Sequence, residues 1–153
     1  MRIVVAGDHS TLELKPFIVE HVRSLGHEVH DLGTHSPDST DYPLWGKLAA
    51  DKVAAGEYDR GILICGTGVG IGITANKVHG IRCGIVSDPF SAKMSRAHND
   101  ANMIAFGARV VGPELAAMIV DEFLTTDFEG GERHARRVRE ISEVDAGEQL
   151  PRP

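Results

Sequence analysis

Cys65 stands directly before Gly66-Thr67-Gly68-Val69-Gly70-Ile71-Gly72, a run in which every second residue is glycine. A glycine-rich turn between an apolar run and a helical one lets backbone N–H groups converge on an anion, with the helix start adding its partial positive charge. A thiol at that junction is favoured as thiolate, the form that acts as base or nucleophile. The plainer reading of a lone strand cysteine is a small core residue. The glycines alone also suit a dinucleotide loop or close packing. They fit the dinucleotide fingerprint poorly, because that loop follows the first strand and precedes, by ~20 residues, an acid that holds ribose. The phosphate-loop pattern GxxxxGK[ST] is absent.

Three further clusters carry groups that could move protons or hold anions. Asp8-His9 follows the first apolar run, where an Asp also serves as an ordinary helix cap. His98-Asn99-Asp100 closes a helical segment, where a His can simply face the helix dipole. Arg133, His134, Arg136 and Arg137 follow Glu129-Gly130-Gly131, and Arg133 and Arg137 at i, i+4 share one helix face that could grip a phosphate. The bland alternative is a solvated basic face partnered by Glu129, Glu132 or Glu140. No HxxxH, HExxH or CxxC spacing occurs among the eight histidines and two cysteines, so no metal site stands out. A Gly-x-Ser-x-Gly elbow is also missing, which argues against a serine hydrolase.

The elements that must position these groups alternate between short apolar runs and helical periods. Strands are predicted at 1–6, 28–32, 61–65, 81–86 and 103–106, all read as continuous apolar runs. Helices are predicted from Leu12 to Leu25, then over 43–55, 71–78, 89–98, 113–124 and 132–144. Strand–helix alternation of this kind implies right-handed βαβ units: an α/β fold, a three-layer α/β/α Rossmann-like sandwich with a five-stranded parallel sheet. Ligands in such folds bind outside the carboxyl ends of the strands. The expectation is therefore that the Asp8, Cys65 and Arg109 loops and the His98 cluster share one edge. One domain over 1–145 with a flexible tail over 146–153 accounts for the whole chain.

Composition narrows the function classes. The 153 residues include 16 Lys and Arg against 22 Asp and Glu, a formal net charge of −6. That balance disfavours a nucleic-acid partner, which needs a positive field to displace counterions from phosphates. No apolar run approaches the ~20 residues of a membrane span, so no membrane partner is expected. Two cysteines, Cys65 and Cys83, make no disulfide framework and suit a reducing, cytoplasmic setting. Cys83, inside IRCGI, reads as core.

Taken in order, AGDH (6–9), TDYP (40–43), GILICGTGVG (61–70), ANK (75–77), HNDAN (98–102), GARVVG (107–112) and FEGGERHARRV (128–138) resemble the type-B ribose-5-phosphate isomerases. The family also holds isomerases of allose 6-phosphate, galactose 6-phosphate and tetrose phosphates. The resemblance implies a homodimer or dimer of dimers whose active sites draw on both subunits. It implies aldose–ketose interconversion of ribose 5-phosphate and ribulose 5-phosphate through a cis-enediolate, without metal or cofactor. By motif, Cys65 would be the base, His98 would assist ring opening, and Asp8 and Thr67 would handle hydroxyl protons. The N–H groups of Gly66, Gly68 and Gly70 would hold the enediolate oxygen. His9, Arg109, Arg133 and Arg137 would bind the phosphate, and Tyr42 and Asn99 would line the sugar. The chain departs from the family in Ser10-Thr11 after Asp-His, in an extra Glu132 before Arg133, and in Cys83 where alanine is usual. Other readings are a nucleotide-binding module on the glycine loop, and a redox protein cycling Cys65 with Cys83.

Overall fold

The computed structural model describes residues 1–151, so Arg152 and Pro153 of the expected tail lie outside the described residues. Strands β1 (Arg2–Gly7), β2 (Glu28–Asp31), β3 (Arg60–Cys65), β4 (Cys83–Ile85) and β5 (Met103–Gly107) alternate with helices. The helices are α1 (Leu14–Ser24), α2 (Tyr42–Ala54), α3 (Val69–Ala75), α4 (Pro89–Ala97), α5 (Pro113–Thr125) and α6 (Glu132–Asp145). All strand pairs are parallel, in the order β2-β1-β3-β5-β4. The expected fold class is what forms.

Two apolar layers sandwich the sheet. Ile3, Val5, Ile62, Ile64, Ile104 and Phe106 meet Ile18 and Val22 of α1 and Ile119 and Phe123 of α5. Val4, Ala6, Leu63, Cys65, Met103 and Ala105 face Ala49, Ala50 and Val53 of α2 and Ile71 and Ala75 of α3. Residues on successive positions of a strand point to opposite faces, so a strand covered on both sides must be apolar throughout. β5 obeys this throughout, and β1 and β3 do so after their opening Arg2 and Arg60. Each fully buried Val, Ile or Phe contributes about 1.5–3 kcal/mol by leaving water.

β2 departs from the continuous-run expectation. Its sequence EVHD alternates exposed and half-buried positions, because it is an edge strand with a neighbour on one side only. β4 closes the opposite edge and is three residues long, shorter than the predicted 81–86. Two helix starts also shift. A 3-10 turn at His9–Thr11, capped by Asp8, delays α1 to Leu14. α3 begins at Val69 rather than Ile71, because Gly68 at φ +79° is its left-handed N-cap.

Candidate active site

β1 and β3 lie side by side, and the chain leaves β1 toward β2 on one side and leaves β3 toward β4 on the other. Loops that part in opposite directions leave a crevice between the carboxyl ends of such strands. Asp8 follows β1 and Cys65 ends β3, so both open onto it. The Asp8 carboxylate is buried; its Oδ1 accepts the Ser10 N–H at 2.9 Å and the Ser10 hydroxyl at 2.5 Å. The cap reading of Asp8 is thus correct, and it occupies one of its two oxygens. His9 Nδ1 accepts the Thr40 N–H at 3.2 Å, which leaves Nε2 as the donor of the neutral ring. Trp45 Nε1 donates to Thr40 Oγ1 at 3.1 Å and ties the same loop to α2.

Around the thiol the backbone sets the geometry. The Gly68 N–H donates to Cys65 Sγ at 3.2 Å, so one of the loop's N–H groups points at sulfur and not at an external anion. Gly68 has to be glycine twice over: its φ is positive, and a Cβ there would sit 2.6 Å from the Phe106 backbone. Gly70 packs so closely under Tyr42 that a Cβ would meet that ring at 2.5 Å. Thr67 is exposed, and its hydroxyl accepts the Val69 N–H at 3.3 Å. The Arg109 N–H donates to Gly66 O at 3.1 Å, and its guanidinium lies over Gly66. Cys65, Thr67, Gly66, Gly68, Gly70, Asp8, His9, Tyr42 and Arg109 therefore belong to one edge of the sheet.

His98, Asn99, Arg133 and Arg137 do not. A crossover helix runs back antiparallel to its strands, so the C-terminus of α4, where His98 sits, lies at the amino ends of the strands. Asn102 O accepts the N–H of Gly61, at the start of β3, and Met103 opens β5 opposite Gly61. From Met103 to Gly107 the strand advances four steps, about 13 Å at ~3.3 Å per residue. The single-edge expectation is corrected: within one chain the imidazole of His98 and the thiol of Cys65 stand at opposite ends of the sheet.

The second cluster is held by ion pairs. Asp100 adopts φ +46°, the left-handed turn that Asp tolerates better than most residues. Arg82 and Arg96 clamp its two carboxylate oxygens at 2.9 and 2.8 Å. The Glu129 N–H donates to Ala97 O at 3.0 Å and brings the head of α6 against His98. There the His98 and His134 rings stack with centroids 4.1 Å apart and planes 5° apart, and Glu129 Oε2 lies 3.8 Å from His98 Nε2. Lost hydration first, then the charges of His98 and Arg133, hold the His134 imidazole below the usual histidine range. Sequence spacing offered no hint that His98 joins Glu129 and His134, since His98 lies far from both along the chain. The donor atoms of His98, Glu129 and His134 lie within 4.8 Å of one another. Arg133 Nη2 already lies 3.2 Å from His134 Nε2, a contact no cation would share comfortably.

Charge pairing along α6 sorts its arginines. Arg136 and Arg139 face Glu140 and Glu143 at 3.7 and 3.8 Å. Among the described residues, no carboxylate lies within 4.0 Å of Arg133 or Arg137, and Glu132 does not pair with Arg133. The solvated-face reading thus holds for Arg136, which faces the expected Glu140, and not for Arg133 or Arg137.

The redox reading fails on distance. Cys65 pairs in register with Gly107 of β5 and Cys83 with Met103, so four residue steps and two strand spacings separate the thiols by roughly 16 Å. Disulfide Cα atoms must come within ~7 Å. Cys83 is core as expected, and burial pushes its thiol up to about 12.

Comparison with known proteins shows the family. The sequence profile of the Ribose/Galactose Isomerase family matches residues 3–141. Ribose-5-phosphate isomerase B of Escherichia coli K12 is 53% identical over 144 residues, covering 94% of this chain and 96% of that protein. A galactose-6-phosphate isomerase subunit of Clostridium acetobutylicum is 41% identical, covering 94% of this chain and 83% of its own. Among solved structures, ribose-5-phosphate isomerase B of Clostridium thermocellum superposes with a TM-score of 0.93 at 50% identity, over 96% of this chain and 99% of that one. The Mycoplasma genitalium enzyme, solved with bound ribulose-5-phosphate, gives 0.90 at 41% identity, over 95% and 96%. These matches favour the isomerase over the nucleotide-binding reading: the chain is an isomerase and belongs to the ribose/galactose isomerase family.

Proposed function

We propose that this isomerase interconverts ribose 5-phosphate and ribulose 5-phosphate, with each active site assembled from the carboxyl edge of one protomer and the amino edge of another. The observation that carries the reading is the Cys65 sulfur at the mouth of the sheet crevice with the Gly68 N–H aimed at it. A backbone donor there suits negative charge on sulfur, and a thiolate can take a proton from carbon next to a carbonyl.

In this reading the furanose first opens. A proton leaves O1 and one reaches O4 as the C1–O4 bond breaks, leaving an aldehyde; His98, Asp8 and Thr67 carry these protons. Cys65 then removes the C2 proton, giving a cis-enediolate, and returns it to C1, while the O2 proton leaves and O1 gains one. The loop from Gly66 to Gly70 faces the oxyanion, and a single preorganised donor of that type is worth about 2.7–4 kcal/mol. His9, Arg109, Arg133 and Arg137 hold the phosphate, and that remote binding fixes the reacting carbons. Tyr42 and Asn99 line the sugar.

A shared site follows from the two-edge arrangement, because one substrate cannot touch both edges of one chain. Hollows of about 430 Å3 beside His9 and about 460 Å3 beside Asn99 open on the surface, and neither is lined by Cys65. Exposed apolar side chains on α2, α3 and α4, including Leu44 at 65% and Phe90 at 70%, offer a second copy a surface to cover. A homodimer, alone or paired into a tetramer, satisfies both. No described helix is long and apolar enough to cross a membrane, and two separate thiols fit a reducing cytoplasm. The isomerase domain is taken to run to residue 145, with the tail beyond it.

The 41% identity to a galactose-6-phosphate isomerase subunit supports a second reading, a hexose phosphate as substrate. Proton NMR in heavy water with ribose 5-phosphate, allose 6-phosphate, galactose 6-phosphate and erythrose 4-phosphate decides. Fastest ketose formation from ribose 5-phosphate is expected; faster turnover of a hexose phosphate would replace the substrate, and no turnover of any would sink the reading.

A further inference from the structure

His134 is the single buried residue of the fourteen in α6. Its ring makes two contacts of different kinds. One face lies flat on His98 at 4.1 Å, and its Nε2 lies 3.2 Å from Arg133 Nη2. A guanidinium has only donors, so Nε2 accepts and the ring proton resides on Nδ1: His134 is the neutral tautomer. Arg133 has no carboxylate within 4.0 Å among the described residues, so this ring is what orients it within α6. Across the stack, Glu129 reaches toward the edge of His98, and the Glu129 backbone ties that loop to Ala97.

We propose that His134 is a positioning residue that joins the two functions of the amino edge: its face holds His98 for ring opening, and its Nε2 holds Arg133 for the phosphate. One side chain thereby sets the separation between the anion clamp and the ring-opening imidazole. The proposal rests on the roles given above to His98 and Arg133. Parallel stacking restrains a ring's tilt without engaging its nitrogens, so the contact with His134 takes neither His98 nitrogen from proton transfer.

The two contacts separate by substitution. His134→Phe keeps an aromatic face and removes the acceptor; His134→Gln keeps an acceptor and removes the stack. For His134→Phe the expected result is a rise of about tenfold in KM for ribose 5-phosphate and in the inhibition constant of inorganic phosphate, with kcat kept within about twofold. His134→Gln is expected to keep KM and lose about tenfold in kcat from ribose 5-phosphate. Ribulose 5-phosphate, whose O5 is phosphorylated, is open-chain, so exchange of its C1 proton for deuterium needs no ring opening. That exchange should persist at saturating ketose in both variants, which also shows that they fold. Parallel losses of KM, kcat and exchange in both variants, or no change in either, would overturn the positioning role. His98→Ala is the control. If it lowers ribose 5-phosphate turnover while both His134 variants match the parent, only the positioning role falls. If His98→Ala turns over ribose 5-phosphate at the parent rate, the assigned role of His98 falls and takes this proposal with it.

Discussion

The two ends of the sheet solve the same problem, holding polar groups in place, by different means. At the carboxyl edge the backbone does it: Gly68 in the left-handed region, Gly70 beneath Tyr42, and an N–H directed at sulfur, all within a few residues of Cys65. At the amino edge side chains from separate elements do it. Arg82 and Arg96 clamp the Asp100 turn, and α6 delivers His134 onto His98. The loop after Cys65 is only Gly66-Thr67-Gly68 between β3 and α3, and close packing on the Phe106 backbone and on Tyr42 leaves it few alternative conformations. A cluster assembled from α4, the loop after β5's helix, and α6 exists only when all three dock. The first should be the more rigid and the second the more easily uncoupled.

The comparison is broken most severely by removing the thiol. Cys65→Ala should lower kcat for ribose 5-phosphate by about 10³-fold, within the span of acid–base catalysis, and abolish C1 exchange while thermal unfolding stays within a few degrees. Equal activity in the variant would remove Cys65 from the chemistry. Next comes the test of whether the edges meet across a dimer. Cys65→Ala and His98→Ala, each impaired alone, should regain about a quarter of parental activity when unfolded together and refolded at equal amounts, since half of the dimers are mixed and each carries one intact site. No recovery would place both groups in one chain's site, against their separation.

Gly68→Ala should cost about 2–4 kcal/mol, because it combines a positive φ with a 2.6 Å approach to the Phe106 backbone. Denaturant unfolding reads that loss, and the kcat of C1 exchange should fall with it as the N–H leaves sulfur. Asp100→Ala should cost about 1–3 kcal/mol and lower ring-opening turnover while sparing C1 exchange, so that ribose 5-phosphate kinetics and ketose exchange part company. If exchange falls equally, the two edges are not separable.

The smallest effect is on pH. His134 and His27 are both held below the usual histidine value, His134 by lost hydration and then the charges of His98 and Arg133, His27 by lost hydration and then the N-terminal charge and Arg60. The folded chain therefore binds fewer protons than the unfolded one just below ~6.5. Their share of stability is complete above that value and is lost as the pH falls through the lower folded values. Asp59 and Asp88, held below 3.8 by backbone N–H bonds, contribute nothing in this window. Unfolding temperature should decline modestly from pH 7.5 to 5.5, and the decline should shrink in His134→Gln; an identical slope would locate the effect elsewhere.

The fold class, the buried runs of β1, β3 and β5, and the Cys65 loop are legible along the chain. Each of these is written in neighbouring residues: runs of apolar side chains demand two-sided burial, and a glycine cluster after a strand marks the turn that Gly68 makes at positive φ. The sequence also marked His98, Asn99, Arg133 and Arg137 as chemically able, because residue type survives without coordinates. Their place in the molecule came from how the helices pack on the sheet. The antiparallel return of α4 puts His98 about a strand's length from Cys65, and docking of α6 pairs His98 with His134 across 36 positions of chain. Edge position cut β2 and β4 short, as no local pattern foretells which strands will lie outermost. Local propensity acts over a turn or two of chain, whereas the meeting of distant side chains depends on how whole elements pack, and that is settled by the burial of their opposite faces.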